Sequence, residues 1–128
     1  MSSANKDDMP PFYRRIGFEM DHDADGSVIA RLRYDSENTN RKGDTHGGAI
    51  MSLADVAMGL AIRSALKDIS LLSTVTITIS FLKVGRGDLI GRGRLVRAGK
   101  SLAFTTAEVL DAEHEVVATA QGTFRLIR

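Results

Sequence analysis

The sequence contains no cysteine, which excludes disulfides and thiolate zinc sites. It also has almost no net charge, since 17 Lys and Arg face 16 Asp and Glu for a formal +1. Nothing on that scale calls for a nucleic-acid partner. No uninterrupted apolar run reaches the length of a bilayer crossing, and the stretch from Met1 to Pro10 lacks the apolar centre of a secretory signal. Several catalytic signatures are missing as well. HExxH and G-x-S-x-G do not occur, and no pair among His22, His46 and His114 has metal-ligand spacing. The glycines between Gly85 and Gly93 precede no helix, so they form no phosphate-binding loop. These absences lead to an expectation of a cytoplasmic protein held together by packing, without metal, resident cofactor or membrane.

What is present fits one globular domain. The chain has 128 residues, 43% apolar and 26% charged, enough for a single core. Residues 1–9 are polar with nothing to bury and are expected to be disordered, leaving 10–128 as the domain. Pro11 suits the start of a short helix and Gly17 its end. Asp21 to Gly26 reads as an acidic turn. Val28, Ala30, Leu32 and Tyr34 then alternate with Arg31 and Arg33, as in a half-buried strand. A polar loop follows from Asp35 to Thr45, and a helix from about Gly47 to Leu66. From Leu71 onward, Val75, Ile77, Ile79 and Phe81 alternate with Thr74, Thr76, Thr78 and Ser80. That is a β-branched strand. Strands over 89–97, 101–110 and 116–126 are separated by turns at 85–88, 98–100 and 111–114. The predicted order is strand, long helix and four strands, an α+β fold whose short turns favour antiparallel neighbours.

The helix carries the most information. Between Ala49 and Leu66, Asp55 is the only acid and Arg63 the only base. A helix this apolar is expected to be buried all round, and a carboxylate inside it must be paired, hydrogen-bonded or protonated. Asp55 is therefore either a structural acid, held by a threonine or a backbone N–H, or a general base or nucleophile tuned by its surroundings. His46-Gly47-Gly48 opens the same helix, where backbone N–H groups lack partners and negative charge is favoured. A carbonyl placed there would be polarised toward an oxyanion, although glycines also serve a tight helix entry. Gly47 and Asp55 lie about 12 Å apart along a helix, too far to share one carbonyl at contacts of about 3 Å. If both are catalytic they act from different subunits. Phe12, Tyr13, Ile50 and Phe81 are candidates to line an apolar pocket.

These residues carry a resemblance. Asn40, Gly43, His46, Gly47, Gly48 and Asp55, with asparagine six before the histidine and the acid nine beyond it, resemble the signature of hotdog-fold acyl-CoA thioesterases of the phenylacetate-pathway PaaI type. The segment G-K-S-L-A-F at 99–104 is similar to one near bound coenzyme A in such enzymes. The resemblance implies a sheet wrapped around the helix and homodimers sharing a continuous sheet, commonly paired into homotetramers. It further implies that Gly47 N–H polarises the thioester carbonyl while Asp55 of the partner subunit activates water or attacks. Asn40 would orient the water or thioester, His46 would brace the loop, and Thr74 would hold the acid or water. Gly48, Arg97, Gly99 and Lys100 would contact the substrate. The expected reaction is hydrolysis of an aryl- or medium-chain acyl-CoA to the free acid and coenzyme A. Two alternatives are a hotdog dehydratase or hydratase and a non-catalytic acyl-CoA-binding protein. The first lacks its H-F-P stretch here, and the second has no need of a buried base.

Overall fold

A computed structural model describes residues 9–128; the disorder expected before Met9 lies outside the described residues. Helix α1 (Pro11–Ile16) starts on Pro11 and ends where Gly17 turns left-handed at φ 99°. Strand β1 (Phe18–His22) then pairs antiparallel with β2 (Val28–Leu32). The sequence-based order omits β1 and assigns part of it to a turn. Only Phe18 of its five residues is buried, so no alternation marks it. β2 stops short of Tyr34, whose N–H donates to Asp88 Oδ1 and whose hydroxyl donates to the Gly43 carbonyl.

Helix α2 (Gly47–Ala65) is followed by β3 (Leu71–Phe81), β4 (Leu89–Ala98), β5 (Leu102–Leu110) and β6 (Val116–Ile127). Six antiparallel strands form one sheet in the order β1-β2-β4-β5-β6-β3. β3 and β4 are consecutive but not neighbours, which corrects the expectation from short turns. Their link passes the N-terminal end of α2, where Thr45 N–H bonds to Gly85 O and Leu82 N–H to Val117 O. β3 is thereby delivered to the far edge, against β6.

The sheet curls around α2, and the contact is made by small residues. A Cβ on Gly91 would lie 3.1 Å from Leu53 O, one on Gly93 2.2 Å from Ala57 O, and one on Gly122 2.9 Å from Met58 Sδ. Ala103, Ala107, Ala118 and Ala120 complete this floor. Into it α2 buries Ala49, Ile50, Leu53, Ala54, Val56, Ala57, Met58 and Ile62. With 19 residues the helix is long and apolar enough to cross a membrane, but here the sheet accounts for that apolarity. Burial is not all round, contrary to expectation. Met51 is 39% exposed, and Asp55, Gly59 and Arg63 form a stripe outside the core.

Gly93 sets the closest approach. Gly93→Ala should push the helix off the sheet, because the obstacle is backbone and cannot rotate away. A loss of about 3 kcal/mol is expected, read as a lower midpoint in urea unfolding; an unchanged midpoint would refute the close contact.

Candidate active site

The loop before α2 is built around Asn40. Its N–H and Oδ1 engage Asp44 (N–H to O, 2.8 Å; Oδ1 from N–H, 3.2 Å), and Oδ1 also accepts from Lys42 N–H at 2.9 Å. Gly43 closes the turn with a left-handed φ of 83°. Only the Asn40 side-chain amide is left to donate elsewhere. Asn38 ties the loop to α1 through Ile16 O and receives the His46 N–H on its own carbonyl. His46 then caps α2, with Nδ1 accepting from Gly48 N–H at 2.8 Å, so the proton of the neutral ring sits on Nε2. This cap occupies the Gly48 N–H. The Gly47 N–H has no acceptor among the described residues. The Phe81 ring lies against Gly47.

Asp55 is half-buried in the wall of a cavity rather than sealed in a core. Thr74 Oγ1 donates to Asp55 Oδ1 at 2.9 Å. Strict alternation would turn Thr74 outward with Thr76, Thr78 and Ser80. Instead β3 is bulged between Thr74 and Thr76, which throws Val75 to solvent at 55% exposure and turns Thr74 toward α2. Burial pushes the Asp55 carboxyl above the usual carboxylate range, and the Thr74 hydroxyl opposes that shift. The Tyr13 phenol beside it is raised by burial first and by the Asp55 charge second, with Arg63 acting the other way.

The expected catalytic residues therefore fall into two groups on one chain. Asp55 and Thr74 share a cavity of about 350 Å³ with Tyr13, Met20, Gly59, Arg63 and Leu72. Asn40 and Gly47 line another of about 340 Å³ with Ile50, Phe81, Lys83 and Gly85. Phe12 lies in neither. Arg97, Gly99 and Lys100 also lie outside both cavities; Arg97 is on the outer sheet face, opposite Phe104, and the Gly99 and Lys100 carbonyls accept from Arg128. A larger hollow of about 680 Å³ on that outer face collects Arg92, Arg94, Thr106 and Gln121, across the sheet from α2 and away from either group. Among the described residues no cluster of three His, Asp or Glu side chains is placed to hold a metal. Arg63 and Gly59 escaped prediction as site residues, although their spacing of eight and four from Asp55 marks one helix face.

Residues 42–118 match the family pattern described as the thioesterase superfamily. The chain belongs to the thioesterase superfamily. Over 124 residues this superfamily member is 36% identical to a provisionally named esterase of Halobacterium salinarum, covering 88% of this chain and 82% of that one. A Bacillus halodurans protein crystallised with CoA superimposes with a TM-score of 0.88 at 26% identity, covering 94% of this chain and 81% of its own. The PaaI protein from the phenylacetic acid degradation operon of E. coli shares the fold, with a TM-score of 0.79, 22% identity and coverage of 93% and 86%. The wrapped sheet and single long helix of this thioesterase-superfamily chain are thus the hotdog fold expected from its sequence.

Because burial favours the protonated Asp55, its stabilising contribution is full below the ordinary carboxylate range of about pH 4 and is lost as pH rises through the higher folded value. Asp55→Asn should accordingly raise the melting temperature at pH 7, and the gain should shrink as the pH falls toward 4. A gain that persists in acid would contradict the burial effect. Thr74→Val removes the opposing hydrogen bond and should raise the Asp55 titration further in a carboxyl NMR titration.

Proposed function

We propose that the protein hydrolyses aryl- or medium-chain acyl-CoA thioesters to the free acid and coenzyme A. In this reading it works as a homodimer in which each site joins Gly47 of one subunit to the partner's Asp55. One observation carries it: the two half-sites sit at opposite ends of a single free edge. β3 borders the sheet and pairs only with β6 among the described strands. Thr74, bonded to Asp55, lies near its start, and Phe81, against Gly47, closes its end. A two-fold antiparallel pairing of two β3 edges about Ile77 would set Thr74 of one copy beside Ser80 of the other. The acid would then face the helix N-terminus that its own chain holds about 12 Å away. Pairing would also cover Leu71, Val75 and Phe81, which are 58%, 55% and 50% exposed.

The chemistry follows from those positions. The thioester carbonyl receives the Gly47 N–H at the positive end of α2, where charge on the oxyanion is stabilised as it develops. Asp55, ionised, takes a proton from water as the oxygen attacks, or itself attacks the carbonyl. Collapse of the tetrahedral species breaks the C–S bond and releases the coenzyme A thiolate; on the second route water then hydrolyses the acyl–Asp55 anhydride, giving the free acid and restoring the carboxylate. The Asn40 amide, its oxygen already spent on the loop, serves as a donor to water or thioester. Lys100, exposed on the β4–β5 turn, and Arg97 would meet the coenzyme A phosphates. No cofactor beyond the substrate's own coenzyme A enters, and pairing of dimers into a homotetramer and a cytoplasmic location belong to the same proposal.

Asp55→Asn should lower kcat by several orders of magnitude in a thiol-release assay on an acyl-CoA panel. Asn40→Asp keeps the carbonyl-type acceptor that holds the loop but loses the amide donor, and should also disable its half-site. Mixing these two inactive variants tests the shared site. After random exchange about half the dimers are mixed, each with one intact site, so about a quarter of wild-type activity should return. No recovery despite exchange verified by mass would overturn the two-subunit site.

A further inference from the structure

The cavity beside Asp55 has two donors that neither the fold nor the proposed chemistry employs. Arg63 makes no hydrogen bond or ion pair among the described residues, and the Tyr13 hydroxyl makes none either. Both line the same cavity as Asp55, Arg63 from α2 and Tyr13 from α1. Asp55, Gly59 and Arg63 follow one another at four-residue steps on α2, so the acid and the cation stand about 12 Å apart on one face. Gly59 lies between them, and a Cβ there would meet nothing within 4 Å. That leaves an unobstructed passage from one to the other. Its sides are apolar, formed by Met20, Leu60, Leu72 and Phe124.

A cation in the last turn of a helix ordinarily complements the helix dipole, and that would account for Arg63 alone. It does not account for a second unpartnered donor converging on the same apolar passage. The cavity brings together a carboxylate suited to the reacting carbonyl, an apolar middle, the Arg63 cation further along α2, and the Tyr13 phenol within electrostatic reach of both charges. Resting on the thioesterase reading above, we infer that this cavity takes the acyl group and that Arg63 with Tyr13 selects acyl chains ending in a carboxylate, the mono-CoA thioesters of short dicarboxylic acids. The guanidinium grips the terminal carboxylate in a charge-assisted pair, and the phenol donates to its second oxygen. The phenol is protonated at neutral pH and able to donate, and burial moves its ionisation further up. The Asp55 charge, at the opposite end, excludes a terminal carboxylate from entering in reverse.

The test compares adipoyl-CoA with hexanoyl-CoA, which differ only at the far end of a six-carbon chain. Wild-type protein should favour adipoyl-CoA by about tenfold or more in kcat/KM, chiefly through KM, since a hydrogen-bonding site discriminates against an analogue lacking the group. Arg63→Met should collapse that ratio to about one or below, Arg63→Lys should restore part of it, and Tyr13→Phe should reduce it less than Arg63→Met does. Arg63 is exposed, so its variants should fold, and circular dichroism checks this. Equal or better use of hexanoyl-CoA by wild type, or a preference that survives Arg63→Met, overturns the selectivity while leaving the thioesterase reading intact. Release of no thiol from either ester, or from phenylacetyl-CoA, overturns the thioesterase reading itself.

Discussion

The distance between α2 and the sheet governs everything else in this molecule. Gly91 and Gly93 remove side chains where the helix backbone passes, Gly122 leaves room for the Met58 side chain, and a row of alanines lowers the rest of the floor. The helix can then sink until Ala57 O touches the strand beneath it, and the strands curl up around its flanks. Close packing of this sort gains dispersion and excludes water, but it tolerates no added atom at the contact. It also fixes the rotation of the helix. With Leu53, Ala57 and Met58 pinned downward, Asp55, Gly59 and Arg63 have only the side wall to face.

That rotation gives the acid its character. Asp55 is withdrawn from water far enough to push its carboxyl above the usual carboxylate range, yet it keeps one hydrogen bond and an open cavity. The bond exists because β3 carries one extra residue at Val75. An unbulged strand would have offered Asp55 an apolar neighbour, and a wholly buried acid would have been costly to ionise. Together the bulge and the pinned helix hold a carboxylate in the wall of an open cavity with its titration raised and one hydrogen bond kept.

At the other end of α2 the constraint is hydrogen bonding rather than packing. His46 and the Asn40 turn consume the Gly48 N–H and the Asn40 oxygen, leaving the Gly47 N–H and the Asn40 amide without a partner among the described residues. The helix length holds these donors away from Asp55. In the proposed dimer, the exposed edge strand β3 would carry one half-site at each end, and its pairing would also relieve the exposure of that edge.

Much of this was legible in the sequence, and what was not has identifiable causes. The boundaries of α2, the turns between the last three strands and the singular position of Asp55 depend on local spacing and on residue types with strong local preferences. The distance from Gly47 to Asp55 is likewise a property of helix rise alone, so it could be read without coordinates that the two residues, if both are catalytic, act from different subunits. Four features could not. β1 is too short and too exposed to show a pattern, the placing of β3 beside β6 is a long-range choice, and the Val75 bulge breaks the alternation that predicts side-chain direction. The fourth is the convergence of Tyr13 and Arg63 on the Asp55 cavity, which joins residues fifty positions apart. Local sequence determines dihedral preference and periodicity; which strand lies next to which, and which side chains share a cavity, is decided only when the whole sheet closes on the helix and the burial of every strand is settled at once.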